Sequence, residues 1–229
     1  MIKTLQTNFL LRQLYFNKPE IERLLMLSSL FSVSLTIARI LYTGEWMFAW
    51  LSWNLFLAVV PYLITRFAMR NPSWIENNFR FAALFVTWLL FIPNAFYIIT
   101  DLFHLEMRVG VPLWFDLALI FSFAWNGILL GVLSVRQMEK MVQLKFPMIT
   151  ELQFAVPIML LNAFGIYIGR YLRYNTWDVI AAPFQLTKDI VYLLLHPVQH
   201  RFDWSMIICY AVFMTLIYLA IKRMSRALW

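Results

Sequence analysis

The sequence predicts an all-α fold, a polytopic membrane helix bundle of about six transmembrane helices with an amphipathic helix on its outer interface. Three observations carry that expectation. Hydrophobic residues make up 62% of the 229 and charged residues only 14%, more apolar surface than a water-soluble core of this size consumes. Six stretches supply the roughly twenty mostly apolar residues that a helix needs to cross hydrocarbon. The net charge of +7 sits on residues that flank those stretches, so it reads as a topology signal, and no nucleic-acid partner is expected.

Taken in order, the expected spans are residues 24–42, 47–67, 81–100, 112–135, 152–171 and 204–221. The first follows a segment with Lys3, Arg12, Lys18, Glu20 and Glu22, too long and too mixed in charge for a cleavable signal peptide. Between the fifth and sixth spans lies "DVIAAPFQLTKDIVYLLLHPVQH", whose apolar run is too short to cross. It suits an amphipathic surface helix, with Pro183 near its start and Pro197 stopping it. There is no linker-like tract and no internal repeat, so residues 1–229 are expected to form a single integral membrane domain. The lone cysteine, Cys209, excludes an intrachain disulfide and is expected as a small buried hydrophobe.

Six of the 19 Lys and Arg residues, Arg39, Arg108, Arg170, Arg173, Lys188 and Arg201, fall on one side of the spans, and the rest fall on the other. That bias places both termini of a multi-pass protein in the cytoplasm. Trp46, Trp50, Trp114, Trp177 and Trp204 would then line the outer interface.

With that orientation the intramembrane polar residues gather in the outer leaflet. Asp101 and His104 end the third span, Asp116 begins the fourth, Arg39 closes the first, and Arg170 and Arg173 close the fifth. All three histidines and all five aspartates share that side, and the inner half is nearly apolar. At about 100° per residue Leu90, Asn94, Tyr97, Asp101 and His104 form one stripe. Asp116, Gly127, Gly131 and Ser134 share a face of the fourth span, and Asn162, Gly165, Gly169 and Arg173 share one in the fifth. The paired glycines permit close helix approach. Charges in hydrocarbon must pair or line a wet cavity. Asp101 and Asp116 can neutralise Arg39, Arg170 and Arg173 as structural glue, or arginines can remain free to hold a substrate anion.

Arg170 and Arg173 in "GRYLRYNTWD" stand one helical turn apart, and two arginine forks suit the oxygens of a lipid or polyprenyl phosphate; ordinary headgroup anchoring is the alternative. Asp101 with His104 suits an acid/base pair, the carboxylate orienting the imidazole. "HPVQH" spaces His196 and His200 as two ligands on one helix face, and His104 with Asp101 would complete four. That order matches no zinc motif, so surface histidines are the preferred reading and no metal is assigned. Asn54, Asn94, Asn126 and Asn162 lie deeper, where amides serve as interhelical hydrogen bonds.

"NLFLAVVPY" at Asn54, "FIPNAFYIITDLFHL" at Phe91 and "GIYIGRYLRYNTWD" at Gly165 together resemble the pattern of a bacterial integral membrane family, domain of unknown function 1361, over nearly the entire chain. The resemblance picks out Pro93, Asn94, Tyr97, Thr100, Asp101 and His104, and Gly169, Arg170, Arg173, Asn175, Trp177 and Asp178; Phe96, Tyr174 and Thr176 depart from it. It implies a single multi-span bundle in a bacterial cytoplasmic membrane and supplies no activity or cofactor. The leading expectation is an outward-opening polar pocket that binds or modifies a lipid or lipid-linked phosphate. Asp101, His104 and Asn94 would do the chemistry, while Arg39, Asp116, Arg170, Arg173, Asn175 and Asp178 would bind substrate, with membrane lipids as partners. A non-catalytic assembly or accessory subunit and a small-solute transporter, the latter with an inner route through Asn126 and Asn162, are the alternatives.

Overall fold

A computed structural model describes residues 19–107 and 110–227; Lys3, Arg12, Lys18 and Arg108 lie outside them. The described chain is helical: α1 (Pro19–Thr43), α2 (Ala49–Arg70), α3 (Pro72–Glu76), α4 (Asn78–Tyr97), a 3₁₀ turn (Ile98–His104), α5 (Leu113–Lys145), α6 (Glu151–Arg170), α7 (Asp178–Ala181), α8 (Pro183–Leu195) and α9 (Arg201–Ala227). Six of these elements are long and apolar enough to cross a membrane, at the six expected places. The protein is a multi-pass helix bundle. It divides between Pro147 and Met148 into two compact units.

In the first unit α5 is the central post. Two thirds (67%) of its most apolar window is buried, against 22% for α1. Helices α1, α2 and α4 pack on it, and α2 also packs on α4. Two glycines set the α4–α5 distance. A Cβ at Gly127 would lie 2.5 Å from the Ala95 carbonyl oxygen, and one at Gly131 would lie 2.6 Å from the Phe96 ring. The expected face of Asp116, Gly127, Gly131 and Ser134 is indeed the buried one.

Deeper in this unit the expectation of a nearly apolar half fails. Trp88 Nε1 donates to Ser134 Oγ (2.8 Å), Thr65 Oγ1 donates to Gln137 Oε1 (2.7 Å), and the Thr65 and Ser134 hydroxyls are 3.5 Å apart, joining α2, α4 and α5. Glu139 is also buried there, within reach of Gln143 Nε2 at 3.1 Å. Small hydroxyls and one indole read as apolar filler in a hydropathy window, yet each needs a partner once buried. At the far end Arg66 pairs with Glu22 at 2.8 Å, and Lys145 Nζ donates to the Ile75 carbonyl at 2.9 Å, fastening α5 to the short helix α3.

In the second unit α6 and α9 pack against each other. A capping box in which Thr150 and Gln153 bond reciprocally starts α6. Lys222 of α9, nearly enclosed, pairs with Glu151 at 3.1 Å and lies over the Tyr218 ring. The buried stripe of α9 is Ile207, Ala211, Met214, Tyr218 and Lys222. Cys209 falls off that stripe and is exposed, contrary to the expectation that it is buried. Helix α8 forms where the amphipathic segment was expected, with Pro183 at its first turn and Pro197 just beyond its end.

Candidate functional site

At one end of the first unit the chain turns from α1 into α2 and from the 3₁₀ turn into α5, and five charged or polar residues lie by these turns: Arg39, Asn54, Asp101, His104 and Asp116. Gly44, left-handed at φ 71°, ends α1, its N–H donating to the Ile40 carbonyl at 2.8 Å. One turn earlier Arg39 points inward. Its Nε donates to Asp116 Oδ1 (2.7 Å) and its Nη2 to Asp116 Oδ2 (3.3 Å), a two-point pair with each partner only 2% exposed. Asp116 lies in the first turn of α5, where the helix dipole favours a negative charge. Nη2 also approaches Met47 Sδ at 3.6 Å, and Nη1 is buried with no hydrogen-bond partner among the described residues.

Phe48 closes over this pair. The Arg39 guanidinium carbon lies 4.8 Å from the centre of its ring, and the residue is almost fully enclosed. Its backbone is left-handed, φ 65° and ψ 2°. For a bulky residue that conformation costs about 1–3 kcal/mol and persists only where packing over-determines it. The Phe48 ring is 6.4 Å from Trp50, and Trp50 meets the His104 imidazole edge to face at 5.1 Å. Asn54, one turn further along α2, donates its amide to Asp101 Oδ2 at 3.1 Å.

The helix carrying Asp101 and His104 changes pitch on the way. Residues Asn78–Tyr97 are α-helical through Pro93, and from Ile98 the chain tightens to three residues per turn. This breaks the expected stripe of Leu90, Asn94, Tyr97, Asp101 and His104, since the tighter turn advances about 120° per residue instead of 100°. Leu90 is exposed, Asn94 and Tyr97 are half-buried, Asp101 is fully buried and His104 is exposed again. Ideal geometry of the tighter turn sets residues three apart on one edge, about 6 Å along the axis, and between Asp101 and His104 the side chain goes from fully enclosed to exposed. Asn94 donates its amide to the Phe91 carbonyl of its own helix at 3.0 Å.

Arg170, Arg173, Asn175 and Asp178 belong to the second unit. Helix α6 ends at Arg170, so Arg173 is not on a continuing helical face as expected; it is exposed and left-handed, φ 62°, inside a wide turn where the Tyr174 N–H reaches the Ile168 carbonyl at 3.2 Å. Asp178 Oδ2 accepts from the Asn175 backbone N–H at 2.6 Å, and the Tyr174 hydroxyl donates to Asp189 Oδ2 at 2.7 Å, tying the turn to α8. That bond holds the Tyr174 phenol above its ordinary pKa, with slight burial and the Asp189 charge adding to it. His196 and His200 lie in the turn between α8 and α9, not on a helix face. His200 Nδ1 is 2.7 Å from Asp203 and His196 Nδ1 is 3.0 Å from the Tyr192 carbonyl. Among the described residues no group of three or more His, Cys, Asp or Glu could hold a metal ion.

Residues 53–218, well over half of the chain, match the family model described as Protein of unknown function (DUF1361). The chain belongs to this family. The DUF1361 match takes in Asn54, Asn94, Asp101, His104, Asp116 and the whole turn from Arg170 to Asp178, while Arg39, Phe48 and Trp50 precede it. No curated protein and no solved structure is matched.

Sequence reasoning missed Phe48 and Trp50 as site residues and read Asn54 only as a bundle amide. Trp50 and Asn54, four apart on α2, were the available signal: one polar and one aromatic residue on a single helix face at the depth of Asp101. Phe48 carries no sequence signal of its left-handed backbone.

Proposed function

We propose that this DUF1361 protein binds, and acts as an enzyme on, a phosphate-bearing lipid or lipid-linked substrate at the Arg39–Asp116–Asp101–His104 end of its first unit. The observation that carries the reading is the two residues three apart on the 3₁₀ turn, a fully enclosed Asp101 held by Asn54 and an exposed His104 braced by Trp50. A buried carboxylate below an accessible imidazole is the arrangement of an acid/base pair, with proton transfer to substrate falling to His104. Arg39 supplies positive charge held in place by Asp116, and Asn94 can turn its amide to a substrate hydroxyl or carbonyl. On the second unit Arg170 and Arg173 are a separate candidate element for phosphate contact, with Asn175 and Asp178 shaping the turn that presents Arg173. The positive-inside bias supports an arrangement with both termini cytoplasmic in a bacterial cytoplasmic membrane, the site facing outward.

The test is to incubate the purified full-length protein in lipid nanodiscs with phosphatidic acid, phosphatidylglycerol and polyprenyl phosphate, following binding and turnover by mass spectrometry. Asp101→Asn and His104→Gln should abolish turnover and leave binding in place, whereas Arg170→Ala with Arg173→Ala should weaken binding. A wild-type protein that neither binds nor changes any of these lipids rules the reading out. One observation favours a non-catalytic accessory subunit instead: the Arg39–Asp116 pair is mutually satisfied at two points, as structural glue would be. Co-purification of a stable partner whose loss unfolds this chain would support that second reading.

A further inference from the structure

We propose that Phe48 is a plug over Arg39: its ring occupies the approach by which an anionic phosphate oxygen would reach Nη1, and the Gly44–Phe48 loop swings aside when that oxygen binds. The inference rests on the anion-binding reading above and adds to it the residue that controls access.

Four observations converge. First, Nε and Nη2 of Arg39 are committed to Asp116, while Nη1 carries donors that no described residue uses. Second, the guanidinium carbon lies 4.8 Å from the centre of the almost fully enclosed Phe48 ring, a weaker partner for a cation than a charged oxygen. Third, the plugging residue is a phenylalanine held left-handed, so the closed loop stores strain that opening returns. Fourth, the loop joining α1 to α2 has a left-handed residue at either end, Gly44 at φ 71° and Phe48 at φ 65°, and few-residue segments that absorb large backbone changes are where hinges form. The Phe48 ring also stands beside Trp50, which braces His104, so displacement of the plug changes the packing at the rim of the acid/base pair. An anion arriving at Arg39 would thereby loosen His104 for its proton transfer.

The probes are phosphatidic acid against phosphatidylcholine, and separately inorganic phosphate, titrated into full-length protein in phosphatidylcholine nanodiscs, with affinity read by native mass spectrometry or calorimetry. Phe48→Gly keeps the left-handed backbone at no steric cost and removes the plug, so the anion should bind on the order of tenfold more tightly than to the wild type. Phe48→Asn, whose short side chain also tolerates that backbone, should behave the same way if the glycine variant folds poorly. Phe48→Leu keeps an apolar plug and should stay near wild type. The paired change Arg39→Gln with Asp116→Asn removes both buried charges together and should abolish the anion-dependent signal in a folded protein. A gain confined to phosphatidic acid assigns the oxygen to a lipid headgroup, and an equal gain with inorganic phosphate assigns it to a free anion; either supports the plug. If the anion binds through Arg39 but Phe48→Gly and Phe48→Asn bind no tighter than wild type, the plug is wrong while the site stands. If neither wild type nor the Phe48 variants bind either anion, plug and site fall together.

Discussion

Arg39 illustrates how one side chain near a membrane surface can be indispensable without adding net stability. Taking a guanidinium and a carboxylate out of water costs about as much as their attraction returns, so the pair with Asp116 is worth little against an apolar replacement. Removing one partner is different. Arg39→Gln leaves Asp116 as a buried charge and should cost about 3–5 kcal/mol, while Arg39→Gln with Asp116→Asn should come within about 1 kcal/mol of wild type. Thermal unfolding of the three proteins in detergent would check this, and a single variant as stable as the double would contradict it. Tyr174 offers a second measurement outside the spans. Its phenol is raised above the ordinary tyrosine pKa by the bond to Asp189, so that bond contributes fully below about pH 10 and is lost as pH rises through the higher folded value. Phenolate absorbance at high pH should lose one late-titrating tyrosine in Tyr174→Phe, and proteolysis of the 171–178 turn should accelerate only in strong base.

Helices α4 and α5 touch through glycine, and the two contact points differ in what a methyl group would meet. At Gly127 it meets backbone, the Ala95 carbonyl oxygen, which cannot move without the helix; Gly127→Ala should cost about 1–3 kcal/mol. At Gly131 it meets the Phe96 ring, a side chain that can rotate, so Gly131→Ala should cost less and should be relieved by Phe96→Leu. Melting temperatures of the three variants order these costs, and an equal loss at both glycines would show that Phe96 is locked. Element placement was legible in the sequence because six apolar stretches and two flanking prolines leave few alternatives. The fourth span ran ten residues past its expected end at 135, since Arg136, Lys140 and Lys145 look like a boundary although the helix continues through them. The site was legible where one residue type sufficed, as with Asp116 meeting Arg39. The Asp101–His104 spacing was legible as a stripe, but the tightening of the helix at Ile98 that buries one and exposes the other was not, nor was the turn after Arg170 that takes Arg173 off the helix.

For the protein as a unit, the distribution of Lys and Arg predicts both termini on the cytoplasmic side. Reporter domains fused to either end of the chain should be active only in the cytoplasm, and a reporter placed in the 178–200 segment should be active only outside. The opposite result would turn the Asp101–His104 end toward the cytoplasm and the search for its substrate with it. The length of α5 carries one more consequence. At 1.5 Å per residue its 33 residues span about 50 Å, while the 20 residues of α6 span about 30 Å, the thickness of the hydrocarbon itself. A thicker bilayer would therefore strand the ends of α6 in oil long before it troubled α5, whose charged last turns have length to spare. Helix α6, and next to it the 22-residue α2, should limit how thick a lipid layer this protein tolerates, and stability should fall with acyl length through these helices before α5 is strained.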